Sequence, residues 1–287
     1  MKVLFDRSAF HGNSFDLLAN SPLPQLVQAR EVLVFHTSVF LDETLRMAQS
    51  RKPVVRAELV RQGEFLLSIC NGGWFRPLFD VCRDELNRIG AIKDYALVPS
   101  QARNSVEARF RAFFQGAGPL EELNTAAPIW HENEQKKKLQ KTLLSDLRMH
   151  GRGCDVETFL EYYESVASDC ALHLLGGPLG VEQPEVKAHA RGQDPDRFPH
   201  VTALIELLAY ALFDAERNQN SPLDKNWQSD AEQLCFLVDV DMIVSADEGF
   251  MKRAVAELWE PRGRRFCEPN EFVDLLSTSL PSGTEVA

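Results

Sequence analysis

Features that mark whole classes of protein are missing from this 287-residue chain. No run of about 18 apolar residues occurs, so no membrane-spanning helix is expected. The amino terminus, Met1 to Arg7, meets an acid and a base before an apolar stretch of about 7–15 residues can build up. A secretory leader is therefore not expected, and a cytoplasmic location is. No two of the six cysteines (Cys70, Cys82, Cys154, Cys170, Cys235 and Cys267) form a Cys-x-x-Cys pair. Four lie in apolar contexts such as Leu234-Cys235-Phe236, which favours buried free thiols over disulfides. The seven histidines make no His-Glu-x-x-His and no close pairing with cysteine, so zinc is not indicated. Gly72-Gly73 and Gly176-Gly177 lack the Gly-x-x-x-x-Gly-Lys pattern of a phosphate loop and read as turns. There is no internal repeat and no low-complexity segment. Basic residues are scarce: 31 Lys and Arg face 42 Asp and Glu, a formal net charge of -11. Non-specific coating of nucleic acid rests on Lys and Arg neutralising phosphates, so that role is disfavoured. Local basic patches, or a site that concentrates carboxylates, remain compatible with the balance.

What is present is an ordinary globular composition, 44% hydrophobic and 25% charged. The length suits one large domain or two modest ones. Lys2-Val3-Leu4-Phe5, ending at Asp6, and Val32-Leu33-Val34-Phe35, ending at His36-Thr37-Ser38, are short apolar runs that suit strands buried on both faces of a parallel sheet. Ser14 to Leu18 and Pro24 to Arg30 read as short helices between them. Ser38 is a plausible N-cap for a helix to about Gln49. Near the far end, Ala231, Leu234, Cys235 and Val238 fall at helical spacing, with Ser229 or Asp230 as the cap. Met242-Ile243-Val244 and Arg265-Phe266-Cys267 read as strands. Pro269 opens a last helix, with Phe272, Leu275 and Leu276 inward.

The middle is different, with helical patterns at Val106 to Phe114, Glu134 to Met149, Val156 to Leu175 and Val201 to Arg217. The expected fold class is therefore α/β: residues 1–100 and 221–287 form a discontinuous unit around a central parallel sheet, and residues 101–220 form a mostly helical insertion.

Sites in open α/β sheets form outside the carboxyl ends of the strands. Asp6 stands at the end of the first strand, and Asp247 three residues past Val244. Glu43 lies in the helix that leaves the second strand. Asp230 begins the helix that leads into the strand at Met242. Four carboxylates thus converge on one rim. Taken singly, three of them also have a structural explanation: Asp230 as a helix cap, Asp6 as a turn residue, Glu43 as a solvated helix residue. Asp42 is turned about 100° from Glu43 around the helix, and Asp241 precedes its strand and belongs to the opposite edge.

The series Leu4-Phe5-Asp6-Arg7-Ser8, Leu41-Asp42-Glu43-Thr44-Leu45, Asp230-Ala231-Glu232 and Ser245-Ala246-Asp247-Glu248-Gly249-Phe250 resembles the PIN domain nuclease family. The closing Phe266-Cys267-Glu268-Pro269-Asn270-Glu271-Phe272 is similar to that family's last strand and following helix. The resemblance covers about 125 residues, Met1 to Gly72 and Lys225 to Ser277, and leaves out the helical middle. It implies a PIN-like three-layer α/β/α fold and hydrolysis of phosphodiesters, usually in RNA, by acids holding Mg²⁺ or Mn²⁺. Asp6, Asp230 and Asp247 would be the principal metal ligands and catalytic acids, and Glu43 a ligand or a positioner of the attacking water. Ser8 and Ser245 would support the acids by hydrogen bonding. Hard divalent cations take oxygen ligands, so these residue types suit that chemistry.

Arg46, Arg51 and Lys52 follow Glu43 and are the favoured substrate contacts; Trp74, Trp130, Trp227 and Trp259 read as packing residues, with stacking on a base open to Trp227, three residues before Asp230. The basic stretch Lys136-Lys137-Lys138 with Lys141 and Arg148 reads as a solvated face paired with Glu132 and Glu134. Alternatives stay open at this point. They are a non-catalytic PIN-like binding or regulatory module, a DNA-directed structure-specific nuclease, a toxin with a protein regulator or antitoxin as partner, and a homo-oligomer.

Overall fold

The computed structural model describes residues 1–48, 53–87, 95–114, 142, 145, 156–177, 179–180, 195–217 and 227–279. Five short strands form one sheet: β1 (Lys2–Phe5), β2 (Leu33–His36), β3 (Gly73–Trp74), β4 (Met242–Val244) and β5 (Arg265–Cys267). Their order is β3-β2-β1-β4-β5, and every pairing is parallel. The fold is α/β, as the apolar runs led one to expect. The order reverses direction at β1: β2 and β3 lie on one side of it, β4 and β5 on the other. A reversal of this kind opens a crevice at the carboxyl ends of the two strands that flank it, here β1 and β4.

Although the strands are mostly apolar, alternate residues serve different cores, because successive side chains in a strand point to opposite faces. Val3, Phe5, Val34, Met242 and Val244 face one core. Helices α1 (Asn13–Ala19), α2 (Leu23–Gln28), α3 (Ser38–Ala48), α4 (Pro53–Ile69) and the carboxyl-terminal Pro269–Ser279 contribute to it through residues such as Leu18, Leu26, Phe40, Leu66 and Phe272. Leu4, Phe35 and Ile243 face the other core. It is shared with α5 (Leu78–Asn87), α7 (Phe159–Gly176), α8 (Pro199–Arg217), α9 (Trp227–Leu234) and α10 (Phe250–Ala254); α6 (Ser100–Phe114) instead packs on α4. Helices α7 and α8 come from the middle of the chain, yet Tyr162, Val166, Leu207 and Leu212 belong to the same hydrophobic cluster as sheet residue Ile243. Helix α8 is buried at every position from His200 to Phe213, which accounts for its nearly unbroken apolar run.

Local signals explain most boundaries. Thr158 and Glu161 form a reciprocal capping box at the start of α7. Pro269 occupies the first position of the last helix, which we label α11. Three expectations need correction. The cap of α3 is Thr37, whose Oγ1 accepts from the Phe40 amide at 3.0 Å, and Ser38 is already helical. Asp230 lies inside the first turn of α9, which begins at Trp227, and so not at the cap position. Gly73 is not part of a turn alone: it pairs with Phe35, and Trp74 with His36, to make the edge strand β3. Next to it, Gly72 donates its amide to the Val34 carbonyl at 2.8 Å, and a Cβ there would stand 2.7 Å from the Phe35 ring.

Cys70, Cys82, Cys170, Cys235 and Cys267 are buried and free, in agreement with the reading from their contexts; Cys154 lies outside the described residues. Burial pushes the Cys70 thiol up to about 12 and Cys267 to about 11, so neither is a ready nucleophile. Among the described residues no helix is long and apolar enough to cross a membrane.

Candidate functional site

The carboxyl ends of β1 and β4, where a reversal of strand order places a site, meet at Asp6. Its backbone amide donates to the Val244 carbonyl at 3.0 Å, tying the end of β1 to the end of β4. Its side chain, 5% exposed, receives four donors from three parts of the chain. Oδ2 accepts from the Ser8 amide at 3.2 Å, from the Ser8 hydroxyl, and from the Ser245 hydroxyl at 2.9 Å. Oδ1 accepts from Gln233 Nε2 at 2.9 Å. All four are donors, as an ionised carboxylate requires.

The two hydroxyls extend the network. Ser8 Oγ accepts from the Ala246 amide and Ser245 Oγ from the Asp247 amide, each at 3.0 Å. Each serine thus spends its proton on Asp6 and its lone pair on the loop after β4, fixing that loop relative to the carboxylate. Asp247 closes the loop by accepting the Gly249 amide on Oδ1 at 2.7 Å. A Cβ at Gly249 would lie 2.8 Å from that same oxygen, so a larger residue there displaces the Asp247 carboxylate.

Asp230 is 5% exposed, one helical turn before Gln233 on α9, and therefore on the side of the helix that meets Asp6. Glu43 is half-buried on α3, which packs beside α9. The four acids named from the sequence thus occupy one end of the sheet. Asp241, by contrast, accepts the Lys2 amide at 2.7 Å at the amino edge, as its position before β4 required.

Several residues of the site carry no signal in the sequence. Arg7 is only 2% exposed. Its Nη2 donates to Gln62 Oε1, while Nε and Nη1 have no hydrogen-bond partner among the described residues. Burial lowers its pKa to about 10, against the pull of the Glu58, Glu43 and Asp6 carboxylates. Gln62, fully buried, spends its amide on Glu58 Oε1 at 3.0 Å and the Phe10 carbonyl at 2.9 Å. Glu58 on α4 is thus a fifth acid on the flank of the site, and Arg7 a cation set among the carboxylates. His36, at the end of β2, is fully buried and stacked on Phe40. Burial pulls it down to about 3, so it stays neutral and is a packing residue.

The substrate contacts expected from the sequence fare differently. Trp227 is 6% exposed and packs edge-on against Phe250, so its ring is not available to a base. The packing reading of Trp227 therefore holds and the stacking alternative does not: a tryptophan in the first turn of a buried helix serves the core. Arg51 and Lys52 lie outside the described residues, as do the Arg46 side chain and the lysines of 136–141.

The donor set suits a hard divalent cation in its chemistry, with carboxylates and hydroxyls and neither thiol nor imidazole. It is not closed around one: among the described residues no three His, Cys, Asp or Glu side chains form a ligand cluster. Comparison of the chain with protein-family models, with curated proteins and with solved structures gives no match.

Proposed function

We propose that the chain is a PIN-like nuclease that hydrolyses phosphodiesters, RNA foremost, at the Asp6 crevice. The observation that carries this reading is Asp6 itself, a buried carboxylate at the reversal point of a parallel sheet, oriented by four donors from the segments that follow β1 and β4 and from α9. The strand order and the helices on both faces support the PIN-like architecture. Asp6, Asp230 and Asp247 are the residues to hold Mg²⁺ or Mn²⁺, with Glu43 as a further ligand or as the group that orients water. A bound ion supplies an acidified water and a positive charge for the developing phosphate charge. Ser8, Ser245 and Gln233 keep Asp6 from rotating, and their role is to hold its Oδ1 in one direction. With a net charge of -11, the chain must grip substrate through local bases and the ion.

The test is cleavage of matched single-stranded RNA and DNA of one sequence, with Mn²⁺ and with chelator. RNA cleavage that needs the ion is expected. Preferential DNA cleavage would redirect the substrate, and no cleavage of either would leave the competing reading. That reading is a binding or regulatory module without catalysis, and it is favoured by the open arrangement of the acids.

A further inference from the structure

We propose that Arg217 and Arg253 form a phosphate-gripping arm, through which the carboxyl end of α8 holds single-stranded RNA at the edge of the sheet where Asp6 and Asp247 stand. This rests on the nuclease reading for its ligand and deepens it, because it gives the helical middle of the chain a part in substrate binding. It needs no metal ion.

The first observation is where α8 ends. His200, in its first turn, lies 2.9 Å through Nε2 from Asp239 Oδ2, which precedes β4 and so marks the amino edge of the sheet. Asp214, about four turns later, meets Arg253 of α10, the helix that follows β4 at its carboxyl edge. Helix α8 therefore crosses the sheet from one edge to the other and delivers its last turns to the edge of the site. The packing agrees: the rings of Tyr210 on α8 and Trp227 at the start of α9 lie 5.9 and 6.5 Å from the ring of Phe250 at the start of α10. Arg253 is one turn into α10. Its amide donates to the Gly249 carbonyl at 3.4 Å, and the Gly249 amide is the donor that closes the Asp247 loop.

The second observation is how the two guanidiniums are held. Arg253 donates through Nε and Nη2 to both oxygens of Asp214, at 3.0 and 2.8 Å, yet its side chain stays 47% exposed. An exposed ion pair adds little to stability. What the two-pronged clamp does fix is the direction of the guanidinium, and it leaves Nη1 for an incoming acceptor. Arg217, three residues after Asp214 and so its neighbour on the helix surface, is exposed in the last turn of α8. Its guanidinium rests 4.6 Å from the centre of the Phe213 ring, and among the described residues no carboxylate pairs with it. Two arginines thus flank Asp214 on one face, each already restrained, which lowers the entropy lost when a ligand is bound. Guanidinium groups match the oxygens of a phosphate. In a chain of net charge -11, a backbone can be gripped only where such bases are set locally.

The experiment is fluorescence anisotropy of a labelled single-stranded RNA of about 12 nucleotides with the full chain, in chelator so that nothing is cleaved, across about 50–200 mM NaCl. Each single-strand phosphate contact contributes about 0.7 to the slope of log affinity against log salt, or about fivefold in affinity near 0.1 M salt. Arg217→Gln and Arg253→Gln are each expected to lose about fivefold, and the double variant to lower the slope by about 1.4. Arg217→Lys, which keeps the charge, is expected to keep the slope. A purely structural role would leave the slope alone. A folded double variant with the parent's affinity and slope overturns the inference, and so does a parent protein that binds no RNA in chelator; the nuclease reading then stands or falls on its own cleavage test. If Arg253→Gln disturbs folding, the exposed Arg217→Gln decides alone, by a slope change of about 0.7. A parent protein that neither binds RNA nor cleaves it with Mn²⁺ overturns the inference and the nuclease reading together.

Discussion

The most quantitative consequence of the structure lies away from the site, at His200 in the first turn of α8. The imidazole is 1% exposed and held between two carboxylates: Nδ1 lies 2.7 Å from Glu85 Oε1 on α5, and Nε2 lies 2.9 Å from Asp239 Oδ2 before β4. The backbone amides of His200 and Val201 also donate to Glu85, each at 3.0 Å, and the Tyr95 hydroxyl donates to it as well. Burial alone would lower the pKa of His200, but the hydrogen bonds to Asp239 and Glu85 and the charges behind them raise it to about 9. A folded-state pKa above the unfolded value means that the stabilisation is complete below about 6.5, declines as pH rises, and is lost above about 9. At about 1.4 kcal/mol per pH unit, the shift from 6.5 to about 9 corresponds to about 3 kcal/mol. The assay is urea unfolding of the full chain at pH 6, 7.5 and 9.5, alongside His200→Asn. The parent should lose about 3 kcal/mol from pH 6 to 9.5 beyond any change in the variant. Parallel pH profiles for the two proteins would refute the assignment of a charged His200.

Two further outcomes follow from the packing. Gly72→Ala places a methyl group against the Phe35 ring and the Val34 carbonyl, and overpacking of this kind costs about 1–3 kcal/mol, visible as a lower thermal midpoint. Leu207→Ala, at a fully buried position of α8, should cost about 2–5 kcal/mol. Because α8 shares its core with the sheet, urea unfolding of this variant should remain a single transition, and two separated transitions would show that the middle segment is stabilised independently.

The frame was legible in the sequence where its signals were local. β1, β2 and β4 announce themselves as apolar runs, β5 as a short segment before Pro269, and Asp6, Ser8, Ser245 and Asp247 stand past the ends of β1 and β4. β3 did not, because two residues make no run; it exists through its pairing with Phe35 and His36. What stayed hidden is long-range polar pairing. Gln233 reaches Asp6 across 227 positions, Gln62 reaches Arg7 across 55, and Glu85 meets His200 across 115. A single glutamine or arginine in an amphipathic segment carries no mark of its partner. For Trp227 only the stacking alternative fell, for a related reason: its place near Asp230 in the chain said nothing about which way α9 turns its first residue.

The central claim is that Asp6 organises a hydrolytic carboxylate site. Asp6→Asn tests it most directly, since an asparagine oxygen can keep the three donors on the Ser8 and Ser245 side, and Gln233 can turn its amide over to accept from the new NH₂ group. The variant should therefore melt within a few degrees of the parent. Its Mn²⁺-dependent RNA cleavage under single-turnover conditions should fall by at least about 100-fold, beyond the loss expected for a supporting partner of a metal ligand. A folded Asp6→Asn protein that cleaves RNA at the parent's rate would contradict the account.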